Sequence, residues 1–336
     1  MPQRNRRYGS SHAQWATSLL LPLAACGPRG PAVADHVVRE DNEHYAFTSE
    51  VRVLVESLEN PGSPVPHEGR LIYAESGRGV VASVPIEGGP VVEHIRGFAL
   101  DEFAGYTISV QGITIEPTTG SWIVAAADGP GRITAFDPAR FPSETLGGTL
   151  IELVGAVDDN PWETVFVGDL LVASGGTSKG YAGIFDPSQP MALAPVLEVE
   201  TGVIGIAADA ASKVVYGAVF GAGPGTGSIV AWDTGNDYAS RVVVEGLSNP
   251  VDVTVTPEGL LLIVEFGEFD TAGTGRVLVA PIAGGPAVLL LSGLNAPSGV
   301  AFADGSLYVA EFGAQPGSRS GQLLVVGLEP RAASPR

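Results

Sequence analysis

The chain has 336 residues, of which 45% are hydrophobic and only 16% charged, with 45 glycines and 26 prolines. That mixture suits many short strands joined by tight turns and argues against long helices. A net charge of −19 speaks against nucleic acid, which needs clustered Lys and Arg, and leaves cations or cationic ligands as the favoured partners.

The N-terminus runs MPQRNRRYGSSHAQWATSLLLPLAAC. Arginines come first, then an apolar stretch from about Trp15 to Ala25, then small residues, which is the layout of a secretory signal peptide over residues 1–25. The apolar stretch is too short to anchor the chain as a bilayer-spanning helix. Leu23-Ala24-Ala25-Cys26 resembles the bacterial lipobox, which implies that Cys26 becomes the lipidated first residue of an exported lipoprotein. Gly27 after it implies, by the same resemblance, the outer membrane rather than the inner one. Cys26 is the single cysteine, so no intramolecular disulfide forms. Residues 26–50 are polar without a sustained period and read as a tether with a short lead-in. His12, His36, His44, His67 and His94 all fall in the first third, which counts against a multi-His zinc or iron site beyond it.

From Val51 onward the chain repeats. VRVLVESL (Val51–Leu58) looks like the run that ends each later unit, as in RVVVEGL (Arg241–Leu247) and AVLLLSGL (Ala287–Leu294). The units follow in order: Glu68–Gly77 with Gly79–Gly89; Val110–Pro138; Asn160–Gly176 with Gly183–Pro187; Thr201–Gly221 with Ser228–Asp233. The last two match phrase by phrase, GLSNPVDVTVTPEGLLLIVEFG (Gly246–Gly267) against GLNAPSGVAFADGSLYVAEFG (Gly293–Gly313). Four short apolar runs per roughly 40–50 residues is the pattern of a propeller blade. The expected fold is an all-β, six-bladed β-propeller over residues 51–328, followed by a disordered tail at 329–336. The last unit shows only three runs, so Val51–Leu58 is expected to supply its fourth strand and close the ring, removing open edges. Little clean alternation within the runs points to sheets covered on both faces.

Chemistry is expected where loops open onto one face of such a ring. Asn60, Asn160, Asn249 and Asn295 precede the innermost strands, where Asn also serves as a turn former. Glu75, Glu265 and Glu311 share one place at the end of the second strand, with Asp128 one residue later. They read either as caps on backbone N–H groups or as an acidic rim on the binding face. Glu163 (NPWETVF) and Asp252 (NPVDVTV) stand two residues after the proline that opens an inner strand. Side chains there point toward the axis, so two carboxylates face the channel, a reason to expect a cation or raised pKa values. No Ser/His/Asp arrangement near a G-x-S-x-G turn is present.

These phrases resemble the six-bladed propellers of the NHL-repeat and gluconolactonase-like (SMP-30) superfamily, and in particular the exported ScyD/ScyE family. The likeness covers about Val51–Gly327. It implies a divalent cation, calcium, on the axis, with Glu163 and Asp252 as acids and Asn160, Asn249 or Asn295 as amides. The expected function is that of an exported, lipid-anchored propeller in the bacterial cell envelope, acting as a binding or scaffold protein through its acidic face. Its partner would be a small molecule or a protein, it would touch the membrane only through the lipid, and it would be a monomer. The alternative is a calcium-dependent lactonase or related hydrolase built on Glu163 and Asp252.

Overall fold

The computed structural model describes residues 36–103, 105–127, 131–154, 160–176, 179–186, 191–269 and 271–331. The signal peptide, Cys26 and Asp128 lie outside them. The described chain is all-β and propeller-like, built of antiparallel four-stranded meanders. Hairpin chemistry sets their pitch. Glu68-Gly69 and Asp304-Gly305 both adopt positive φ at both residues, so two-residue turns join His67 to Arg70 and Ala303 to Ser306. The first meander runs through Pro61–His67, Arg70–Glu75, Val80–Pro85 and Val92–Arg96. The second comprises Val110–Ile115, Trp122–Ala126, Arg132–Phe136 and Thr149–Leu153. The third takes in Thr164–Val167, Leu170–Ser174, Lys179–Ile184 and Met191–Glu198. Val203–Asp209, Val214–Val219, Gly227–Asp233 and Ala239–Leu247 make the fourth. The fifth holds Pro250–Val255, Leu260–Glu265, Gly275–Pro281 and Val288–Leu294.

The last meander combines Pro297–Ala303, Ser306–Glu311 and Gly321–Pro330 with the early strand Arg52–Leu58. That strand pairs antiparallel to Gly321–Pro330, with Leu58 opposite Gly321 and Val55 opposite Leu323, as the repeat pattern predicts. Apolar clusters fill the space between every neighbouring pair of sheets. Ile72, Val81, Val124 and Phe136 join the first to the second, and Ile123, Ile133, Leu171 and Leu193 the second to the third. Leu71, Tyr73, Leu323 and Val325 join the last back to the first. First strands touch their neighbours in the same cyclic order. Covering both faces of each sheet is what removes the polar alternation from the runs.

The structure departs from the sequence reading in four places. Outer strands Thr149–Leu153 and Met191–Glu198 lie parallel, fusing the second and third meanders into one eight-stranded sheet. A hairpin, Asp101–Phe103 with Tyr106–Ile108, is inserted between the first and second meanders. The final strand continues to Pro330, beyond the residue 328 boundary and into the expected tail. Most consequentially, the expected tether is bound from His36 onward. Val37–Val38 extends the fifth meander by pairing with Leu291 and Ser292, and Tyr45–Phe47 pairs with Leu328–Pro330. Three groups hold this segment. Asn42 donates to Leu289 O at 2.9 Å, the fully buried Tyr45 packs with Leu290 and Leu328, and its hydroxyl donates to Glu258 at 3.1 Å. A polar average over residues 26–50 hides these few apolar anchors. Tyr45→Ala should therefore cost about 3 kcal/mol in denaturant unfolding; a true tether would show no change.

Candidate functional site

Aligned on the bulges of five first strands, and in the third meander on the matching NPWE run just before Thr164–Val167, one position of each meander meets its neighbours at the inner end of the sheets: Ser63, Gly112, Glu163, Gly205, Asp252 and Gly299 in chain order. Side chain and glycine alternate, and packing explains why. A Cβ on Gly112 would sit 2.6 Å from Glu163 Cα, one on Gly205 2.6 Å from Asp252 Cα, and one on Gly299 2.8 Å from Ser63 N. Each glycine thus admits the backbone of the next meander, and only every second meander can carry a side chain here. The sequence reading found Glu163 and Asp252 and missed Ser63. The signal was present: NPGS occupies the same register as NPWE and NPVD. Ser63 also holds φ at 44°, an uncommon backbone state for a serine, of the kind that clusters at functional sites.

The three side chains are wired unequally. Asp252 is buried, and each of its oxygens accepts a backbone N–H at 2.7 Å, Oδ1 from Val253 and Oδ2 from Val300. Glu163 keeps some accessible surface but is densely surrounded by protein. Its Oε1 accepts from the Ser63 hydroxyl at 3.2 Å, while Ser63 Oγ itself accepts Ile113 N–H at 2.9 Å. Burial raises Asp252 to about 7 against the pull of its two amide bonds. Burial, and then the charge of Asp252, holds Glu163 well above the carboxylate range. Two buried acids that repel each other retain a proton between them. Both acids have backbone N–H groups working against the rise, and it is the charge of Asp252, added to burial, that makes Glu163 the one pushed up well above the ordinary carboxylate range.

The other predicted residues do not join this pair. Glu75, Glu265 and Glu311 are not an open rim: they are at most 2% exposed. Each caps the chain entering its own meander, accepting Glu59 N–H at 3.2 Å, Ser248 N–H at 2.7 Å and Asn295 N–H at 2.7 Å respectively. Their second oxygens take Arg78, Arg276 and Gln322. Of the two readings open in the sequence, capping is the one the geometry supports. Asn249 turns to its own loop, donating to Gly267 O at 3.0 Å, and Asn295 Oδ1 accepts Gly273 N–H at 3.0 Å. Asn160 lies three residues before Glu163 on the approach to the same strand. Among the described residues, no three His, Cys, Asp or Glu side chains gather as a metal cluster.

No family model matches the chain, and no curated protein matches it. Solved structures do. A gluconolactonase from Xanthomonas campestris superposes with a TM-score of 0.62 at 15% identity, over 90% of this chain and 99% of that one. A PQQ-bound aldose sugar dehydrogenase from Streptomyces coelicolor gives 0.60 at 15% identity, over 89% and 100%. A luciferin-regenerating enzyme gives 0.58 at 12% identity, over 83% and 95%. The likeness is one of fold, a propeller-type architecture shared with gluconolactonase-like proteins; identities this low carry no site across.

The raised acids have a consequence for stability. A carboxyl that binds its proton more tightly folded than unfolded stabilises most at low pH, and that contribution is lost as pH rises from about 4 to about 7 for Asp252. The melting temperature should fall by a few degrees between pH 5 and pH 8, and Asp252→Asn should flatten the slope. An unchanged slope in the variant would remove the pair's assignment.

Proposed function

We propose that the meanders are the six blades of one propeller closed by Arg52–Leu58, and that the chain is a hydrolase for small cyclic esters, acting through Glu163 and Asp252. One observation carries the reading: two buried carboxyl groups, Glu163 and Asp252, at equivalent innermost positions of their meanders, both pushed up by burial, with the Ser63 hydroxyl bonded to Glu163. Such a pair takes a proton from water as the water oxygen bonds to the ester carbonyl carbon. It returns one to the ring oxygen as that carbon–oxygen bond breaks, so the pair's proton count is unchanged. The fold shared with a gluconolactonase supports a lactone as the ester. The scaffold reading finds less support, since its acidic face rests on glutamates that are buried.

The proposed hydrolysis does not call on calcium. That ion takes six to eight oxygens. Of the expected donors, Asp252 points both oxygens at amides and Asn295 Oδ1 accepts from Gly273 N–H, so fewer remain than such an ion takes. The test is a panel of γ- and δ-lactones assayed across pH 5–9, with Glu163→Gln and Asp252→Asn beside the wild type. Hydrolysis should follow a bell-shaped pH profile and fall by about 100-fold or more in each variant. EDTA and added calcium should shift neither rate nor melting temperature. Hydrolysis that survives both substitutions would overturn the reading.

Export and lipid anchoring belong to the same proposal and are supported by the Leu23–Cys26 motif. Expressed in a bacterial host, the chain should incorporate a palmitate analogue, and Cys26→Ala should abolish the label.

A further inference from the structure

The inserted hairpin, Asp101–Phe103 with Tyr106–Ile108, belongs to no meander: its two strands form a sheet of their own. It is rooted between the first and second meanders, yet it rests on distant ones. Tyr106, 1% exposed, packs against Phe266 of the fifth meander and Phe312 of the last, with ring centroids 5.8 and 5.4 Å away. A Cβ on Gly105 would stand 3.7 Å from Pro316 Cβ, in the loop before the final strand. In the cyclic order of the sheets, two meanders lie between the second and the fifth in either direction. A hairpin that starts beside one and touches the other therefore crosses the middle of the ring.

It crosses at the end where the innermost polar residues sit. Phe266 N–H donates to Asn249 O at 3.0 Å, three residues before Asp252, and Val251 packs into the same aromatic cluster. Asn60 Nδ2 donates to Thr107 O at 2.6 Å, three residues before Ser63. Ser63 and Asp252 are each 5% exposed beneath this cover. Two features weaken its hold. An isolated two-stranded hairpin has marginal stability of its own, and units of that kind open short of global unfolding. Its seat is also imperfect. Asn60 Oδ1, on the side chain that holds Thr107, and Ser109 Oγ, at the foot of Tyr106–Ile108, are buried and make no hydrogen bond. A buried acceptor without a partner costs free energy that hydration removes, so lifting the hairpin favours both oxygens.

We propose that the hairpin is a lid, shut in this structure, that opens to admit small molecules to Ser63, Glu163 and Asp252. As a gate for an ester it rests on the hydrolase reading above; as a moving lid it does not. Thiol labelling reads the motion without any activity. In the full chain carrying Cys26→Ala, Ser63→Cys reports opening, and Ser83→Cys, fully buried in the third strand of the first meander, reports unfolding. Iodoacetamide should alkylate Ser63→Cys about tenfold or more faster than Ser83→Cys. Adding Tyr106→Ala, which removes the ring the hairpin rests on, should speed alkylation of Ser63→Cys a further tenfold or about that. Equal rates for the two thiols overturn the proposal, because the inner residues are then reached only by unfolding. So does a Ser63→Cys rate that ignores Tyr106→Ala, because the route then lies elsewhere. A second variant leaves the inner residues intact. Gly105→Cys with Pro316→Cys places two thiols near disulfide spacing, about 3.5–4.5 Å between Cβ atoms. Its oxidised form should hydrolyse lactones about tenfold or more slower than its reduced form. Hydrolysis unchanged by oxidation overturns the lid. Absence of hydrolysis in the wild type overturns the hydrolase reading alone, and the labelling then decides.

Discussion

The close approach of the first strands at the ring axis governs both the architecture and the chemistry. Where Gly112, Gly205 and Gly299 admit the backbone of the next meander, the axis is too narrow for side chains from every unit. What remains is a three-membered polar set, Ser63, Glu163 and Asp252. Packing density therefore decides how many charged groups reach the centre, and close packing then strips them of water. The raised proton affinity of the two acids is the electrostatic expression of that same constraint.

The periphery obeys a different logic. Each sheet is covered on both faces by its neighbours, so the remaining liability is the outer edge. Four devices deal with it here, one being Ser143–Glu144, which lies parallel along the outer strand Val92–Arg96 of the first meander. Arg52–Leu58 closes the last meander, the lead-in strands Val37–Val38 and Tyr45–Phe47 extend edges or ends of two meanders, and Thr149–Leu153 pairs with Met191–Glu198. The lead-in matters most for organisation. Asn42 bonds Leu289 and the Tyr45 hydroxyl bonds Glu258, both in the fifth meander, while Tyr45–Phe47 pairs with Leu328–Pro330, so the segment ties the fifth meander to the last. A segment that looks like a flexible approach is a second fastening.

Acids recur through this chain in two roles that sequence position alone does not separate. Glu75, Glu265 and Glu311 sit at strand ends, where solvent exposure is the ordinary expectation. Instead they turn inward to backbone N–H groups that would otherwise lie buried without partners, and a cation or amide takes the second oxygen. Glu163 and Asp252 are bonded, among the described residues, to a hydroxyl and to backbone N–H groups, and burial raises both above the ordinary carboxylate range. The same functional group is a structural cap in one register and a candidate acid–base in another, according to what neutralises it.

The sequence by itself determined the all-β repeat, its pitch, the strand that returns to close the last meander, and the two acids beside the axis. These follow from local rules: Gly, Pro, Asn and Asp placed by turn geometry, and a proline that sets the register of the strand after it. Tertiary structure decided the rest. Ser63 joined the site because a neighbouring glycine let its strand approach, the rim glutamates turned inward because distant N–H groups needed acceptors, and Tyr45 found a core made by residues more than 200 positions away. Ser63 and Tyr45 depend on partners in other meanders and the glutamates on N–H groups 16 or 17 residues back, and burial of one residue by another that far along the chain leaves no trace in local pattern.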